Sequence, residues 1–373
     1  MNHRRLTALV TVAVLLAGLP GRVLAHVRYV SPGSDGEGTM ELLSAIAADP
    51  LALALLGGGG VSVALAAVLY LRTLPFRTDF AVLRGTLRGY GDLLPWLTRL
   101  AIGLPMVGAG FTGYLFSPVA TAEFLGLPLA AVRLFGIGVG FLLVFGFATR
   151  FAAVLGLAGY VLGLVLSPAL LLSIEFAPGL IAILLLGGGR PSADHVFSRL
   201  ADADGTFYRD IDPIRETLHP IGDRLANATS LVPVVVRVGL GISFVYLGVF
   251  QKLFQPGQAL AVVAKYNLTS VVPVSPELWV VGAALTETAI GIALALGLFT
   301  RACCGVSILM FTTTLFGLPD DPVLAHISLF GLVSVLIVTG AGAYSLDQRI
   351  AERFGSEFRF GDNRSTAGET LAD

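Results

Sequence analysis

The stretch Gly140-Phe141-Leu142-Leu143-Val144-Phe145-Gly146-Phe147-Ala148-Thr149-Arg150 returns 151 residues later as Gly291-Ile292-Ala293-Leu294-Ala295-Leu296-Gly297-Leu298-Phe299-Thr300-Arg301. In each copy an apolar run with glycines six residues apart enters a Thr-Arg turn, and a second apolar run starts directly after it. Apolar residues without polar alternation, broken by a small-residue turn, read as a pair of buried or membrane-spanning helices. Twenty-five residues beyond each arginine stands an ionisable group, Glu175 in the first copy and His326 in the second. Matching offsets over that length predict a duplicated helical membrane unit.

Composition places the unit in a lipid bilayer. Hydrophobic residues make up 55% of the 373 residues and charged residues 13%, against roughly 25% charged in soluble domains. Mean hydropathy is +0.82. A net charge of −1 gives no reason to propose nucleic-acid binding. Cys303 and Cys304 are adjacent and the chain has no other cysteine, which excludes a disulfide framework and a four-thiolate metal site. Lysine occurs only at Lys252 and Lys265, so an amine within an apolar run is conspicuous.

Segment boundaries follow from hydropathy and punctuation. Residues 1–25 have Arg4 and Arg5, an apolar core and a small-residue exit at Ala25, the layout of a cleaved signal peptide; an uncleaved anchor is the alternative. Cleavage would make His26 the amino terminus. An amine and imidazole there form a chelating pair suited to copper, but the sequence offers no second ligand and no metal site is assigned. Residues 26–50 read as an external polar segment and 51–71 as the first membrane helix, with Gly57 to Gly60 allowing close helix contact or a kink. Residues 72–96 form a basic segment. Four spans fall within 97–190, a polar linker occupies 191–230, four more spans fall within 231–345, and 346–373 is a polar tail. The expected fold is all-α: two tandem, parallel four-helix bundles preceded by one transmembrane helix.

Arginines cluster at 72–99, at Arg150 and Arg301, and in the tail. The positive-inside rule therefore places those turns, the linker and the C-terminus in the cytoplasm and the mature amino terminus outside. Residues 255–276 then form an external loop, in which Asn267-Leu268-Thr269 is a glycosylation acceptor triplet.

Chemistry concentrates in the second bundle. Glu287 lies fourteen residues before Arg301, and Lys252 fifteen after Arg237, so both reach roughly 21–22 Å along their helices at 1.5 Å per residue. His326 lies just inside the last span. The three are expected to meet near the outer side of the bundle as candidate catalytic residues, since intramembrane charge faces inward and seeks a partner. Tyr246, Gln251 and Arg237 are candidate substrate-contacting residues. At the equivalent positions the first bundle has Tyr114 and Gly136, so it is expected to be a structural copy, and Glu175 reads as a solvated loop acid. An ion pair that only registers the bundle is the alternative to a catalytic trio. No Gly-rich phosphate loop, CxxC, CxxCH or HExxH motif occurs.

Arg237-Val238-Gly239-Leu240-Gly241, then Leu247-Gly248-Val249-Phe250-Gln251-Lys252-Leu253, then Glu287-x3-Gly291-x5-Gly297-x2-Thr300-Arg301 resembles the DoxX family of four-helix membrane proteins over about residues 231–345. Arg99, Gly140, Gly146 and Arg150 carry a degenerate copy over about 97–190. The resemblance implies kinship with the membrane subunit of thiosulfate:quinone oxidoreductase and with thiol-stress complexes. It also implies a quinone as acceptor and a soluble or membrane redox partner. The chain departs from the family in being duplicated and in having no cysteine pair on the external side. The expected function is an accessory, quinone-interacting subunit of a membrane oxidoreductase. A small-solute or ion permease and a non-catalytic scaffold are the rivals.

Overall fold

A computed structural model describes residues 38–73, 75–207, 222, 224–320 and 323–354. The signal-peptide segment, His26 and the polar tail beyond 354 lie outside the described residues. Within them the chain is helical with no strand. Helix α1 (Thr39–Ala48) leads into α2 (Pro50–Thr73), followed by α3 (Arg77–Arg88). The first bundle is α4 (Leu94–Thr112), α5 (Leu129–Phe145), α6 (Thr149–Leu166) and α7 (Phe176–Leu186). Helix α8 (Ala193–Asp202) follows in the linker. The second bundle is α9 (Val232–Val245), α11 (Pro276–Leu296), α12 (Thr300–Gly317) and α13 (Val323–Thr339), with α10 (Pro256–Lys265) between α9 and α11 and α14 (Leu346–Phe354) after α13.

Six helices among the described residues are long and apolar enough to cross a membrane. The expected spans α5 and α13 are apolar but one residue short of that length, at 17 residues each. The expected external loop 255–276 is built as α10 plus a short 3-10 turn. The polar linker contains a regular helix that the turn-rich sequence had concealed. Helix α2 runs unbroken, and Gly57 to Gly60 have open space where a Cβ would sit. The close contact expected at that run is absent among the described residues.

The signature is legible in its geometry. Helices α5 and α11 end at Gly146 and Gly297, with φ of 66° and 65°, a left-handed conformation that glycine adopts without a Cβ penalty. Two residues later the chain turns again at Ala148 and Phe299, with φ of 47° and 49°. The Asp194 carboxylate accepts the amides of Ala148 and Thr149 at 2.7 and 2.9 Å. Asp347 accepts those of Phe299 and Thr300 at the same distances. Each carboxylate thereby satisfies orphan amides at a helix start, where the macrodipole favours negative charge. The amides of Asp194 and Asp347 return bonds of 2.8 Å to the carbonyls of Gly146 and Gly297.

Two buried arginines close the same end. Arg99 donates to the carbonyls of Leu143, Val144 and Pro191, tying α4 to the end of α5 and to the loop after α7. Arg237 donates to Ala295, Ala343 and Tyr344 at 2.5, 3.2 and 2.9 Å, tying α9 to α11 and to the loop after α13. Arg150 bonds Leu184 of α7, and Arg301 bonds Ile337 and Val338 of α13. Helix pairs approach through glycine: a Cβ on Gly140 would meet Gly103 O at 2.9 Å, and one on Gly291 would meet Gly241 O at 2.7 Å.

The bundles share one core and interlock reciprocally. Helix α4 of the first packs along α13 of the second, and α9 of the second packs on α7 of the first. Gly331 of α13 sits against Ala101 of α4, and Gly239 of α9 against Pro178 of α7.

Candidate functional site

Helix α9 does not simply end. From Tyr246 to Leu253 it continues as a π-helix, which holds Tyr246, Gln251 and Lys252. In the first bundle α4 stops at Thr112 and turns left-handed at Gly113. Wide π turns are uncommon and are frequent at functional sites. Gly248 lets this segment lie against α11, because a Cβ there would meet Thr288 Oγ1 at 2.5 Å and Ala284 O at 2.6 Å. The approach aims Lys252 at α11.

Lys252 Nζ lies 2.6 Å from Glu287 Oε2, a charge-assisted hydrogen bond within an apolar bundle. The pair is not sealed: the side chains are 21% and 13% exposed. Neighbouring Gln251 is 2% exposed, and its Oε1 has no hydrogen-bond partner among the described residues. A buried amide oxygen without a donor costs about 1–3 kcal/mol, so an ordered polar group from outside the protein has a place to bond. Tyr246 is buried, stacks on Phe250 at 5.3 Å, and packs against Leu171 and Leu172 of the first bundle.

The structure thus brings together two of the three candidate catalytic groups. His326 is buried on α13 with its ring edge-on to Phe311 at 6.1 Å. Phe311 also packs against Phe244 and Phe330, so the imidazole stands in an aromatic cluster within the second bundle. Arg237 stands fifteen residues before Lys252, with its guanidinium bonded to three backbone carbonyls. Its geometry is that of a helix tie rather than a substrate contact. The glycines of both signatures, with Arg150 and Arg301, likewise serve the turn described above.

Correspondence between the bundles corrects the expectation at Glu175. Arg99 and Arg237 stand 138 residues apart, Gly146 and Gly297 stand 151 apart, and Asp194 and Asp347 stand 153 apart. Two extra residues between α12 and α13 therefore shift the last helix, and Glu175 corresponds to Ser328, while His326 corresponds to Ser173. Glu175 is not a solvated loop acid. It is 2% exposed and accepts a hydrogen bond from Ser328 Oγ at 3.2 Å across the junction of the bundles. Counting from arginine alone could not reveal the two-residue shift; the Gly-x-Gly-x2-Ser-x-Asp run at 187–194 and 340–347 carries it.

By sequence offset, Tyr114 and Gly136 of the first bundle stand opposite Lys252 and Glu287, although Tyr114 follows the left-handed turn at Gly113 rather than a π-helix. The interior there is filled by Phe116, ringed by Phe135, Tyr160 and Phe176 at centroid distances of 5.1–6.1 Å. A second polar contact stands at the α10 side of the second bundle. Lys265 Nζ lies 2.8 Å from Asp320 Oδ2, which also accepts the Tyr266 hydroxyl at 2.9 Å. These bonds hold the Asp320 carboxyl below the usual range and push the Lys265 amine up. Asn267 is exposed in the adjoining turn. Among the described residues no three His, Cys, Asp or Glu side chains form a metal-binding group.

Residues 232–320 match the DoxX family model, which spans α9 to α12; the first half of the chain is not covered by that match. No curated protein and no solved structure matches the chain.

Proposed function

We propose that this chain, a multi-pass membrane protein with a DoxX domain at residues 232–320, is an accessory, quinone-interacting subunit of a membrane oxidoreductase. The observation that supports this reading most is the Lys252–Glu287 pair, 2.6 Å long and incompletely enclosed, on a π-helical segment inside the DoxX domain. A quinone headgroup takes up electrons and protons at carbonyl oxygens flanked by apolar ring edges. Lys252 has three ammonium donors and gives one to Glu287, so donors remain for an oxygen acceptor. A preorganised cation stabilises charge developing on such an oxygen, and Glu287 is the group able to hold and pass on a proton beside it. The Gln251 amide, next in sequence, adds hydrogen-bonding capacity. Electrons would come from a partner subunit.

The two bundles are on this reading copies of one unit, the second keeping the chemistry and the first, with Tyr114 and Gly136, the packing. The arginine turns face the cytoplasm, which sets the Lys252–Glu287 pair toward the outer leaflet. A scaffold would leave the pair with only a structural task, and a permease would use it to carry an ion or proton.

Donor-dependent reduction of a short-chain quinone by membranes containing the full complex tests the proposal. Replacing Lys252 by Met together with Glu287 by Gln should lower that rate at least tenfold with the complex still assembled. Normal reduction by the double variant would favour the scaffold, and solute uptake by vesicles of the purified chain alone would favour the permease.

A further inference from the structure

Where the first bundle meets the second, a crevice is lined by Pro105, Tyr114, Phe116, Ser117, Ser173 and Glu175, with Leu324 of α13 opposite. Its free volume is about 10 Å³, room for about one water-sized particle. Glu175 is the only carboxylate in the lining. It lies between α6 and α7, outside the long spans, and at 2% exposure it is the most deeply buried acid of the described chain.

Its single side-chain partner is Ser328 Oγ at 3.2 Å, long for a hydroxyl donating to an anionic carboxylate, which is about 2.5–2.7 Å. No arginine or lysine pairs with it among the described residues. The titratable groups facing it are phenols: Tyr114 beyond α4, which lines the same crevice, and Tyr160 of α6. From α13 it meets Ser328, with His326 turned to Phe311. Ser117 and Ser173, both buried, put two hydroxyl-bearing side chains in the same lining. An anionic carboxylate so enclosed costs several kcal/mol unless positive charge joins it. Too few carboxylates or imidazoles are present for a multivalent metal.

We propose that Glu175, with the Ser117, Ser173 and Ser328 hydroxyls, forms a site for one compact monovalent cation, a proton or Na⁺, at the junction of the two bundles. The site is separate from the Lys252–Glu287 pair and does not depend on the quinone reading. Residues of α4, α7 and α13 meet there, so occupancy is expected to change how tightly the bundles pack. An emptied, charged site opposes the apolar contact around it.

Infrared difference spectroscopy on the full chain in nanodiscs tests this in two arms: a pH step in sodium-free buffer, and a sodium step at fixed pH. A proton site predicts loss of a buried carboxylic-acid carbonyl band as pH rises. A sodium site predicts a carboxylate band shift on adding Na⁺. Either signal should vanish in Glu175→Gln, and the melting temperature of that variant should respond less than that of the wild type to pH near neutrality or to Na⁺. Ser328→Ala keeps the carboxyl group and should shift the same band, which serves if Glu175→Gln does not fold. Identical difference spectra in wild type and Glu175→Gln overturn the proposal, as does an unmoved band in Ser328→Ala where Glu175→Gln cannot be purified.

Discussion

Lys252 and Glu287 show why a partly enclosed ion pair is informative. Each charge is tolerated in the bundle because the other is 2.6 Å away. Glu287→Gln or Lys252→Met alone should destabilise the protein by about 2 kcal/mol, below the 3–5 kcal/mol of a fully enclosed pair because both groups keep some exposure. The Lys252→Met/Glu287→Gln double variant should recover most of that loss, which thermal unfolding in detergent will read. A structural pair would recover function along with stability; a redox pair would not. Asp320 and Lys265 make a different case, since both are exposed and their contact is a surface clamp. Asp320 is held low, so its contribution is present above its unfolded value and lost as acid protonates it. Lys265 is held high, so its contribution is lost only in strong alkali. Protection factors of the amides in residues 256–270, corrected for the base-catalysed intrinsic rate, should therefore be flat across neutral pH and fall only at the acid and alkaline extremes. A fall in protection between pH 6 and 8 would show that the clamp is not what holds the loop. Sequence spacing found the lysine and the acid, because an amine and a carboxylate at equal height in apolar helices have few alternatives to each other. It did not find Asp194 or Asp347, which read as ordinary polar residues until the turn they fasten is seen.

Elements were legible where periodicity was long and punctuation sharp. The pairs α5–α6 and α11–α12 follow from Gly146, Gly297 and the Thr-Arg turns, because only a left-handed residue ends the first helix in time for the second to start. The π segment at Tyr246–Leu253 was not legible, since hydropathy does not distinguish i+4 from i+5 bonding. Nor was the correspondence of Glu175 with Ser328, because counting from Arg150 and Arg301 misses two residues inserted in the connection before α13. The π segment makes Gly248 a sensitive position. Gly248→Ala should push the segment away from α11 by colliding with Thr288 and the Ala284 carbonyl, at a cost of about 1–3 kcal/mol. Cysteines placed at 252 and 287 should be bridged by a short bifunctional thiol cross-linker in the otherwise native chain, and should not be bridged in that variant. Equal cross-linking in both would show that Gly248 does not set the approach.

At the scale of the molecule, the two bundles are not beads on a linker. Their first and last helices exchange partners, so α4 lies on α13 and α9 on α7. Hydropathy predicts two bundles and is silent on this interlock, since lipid-facing and bundle-facing apolar residues look alike in composition. Gly331, pressed against Ala101, should be decisive there. With a protease site placed between Phe207 and Gly222, the halves of the wild type should co-purify after cleavage and those of Gly331→Leu should separate. Co-purification of both would mean that other contacts suffice. Whether Lys252 and Glu287 handle a quinone is read by equilibrium binding of a short-chain quinone to the purified full chain in nanodiscs, comparing wild type with the Lys252→Met/Glu287→Gln double variant. Saturable binding to the wild type and at least tenfold weaker binding to a double variant of similar melting temperature are expected. Equal affinity for both proteins, or no saturable binding to the wild type, would overturn the proposed quinone site.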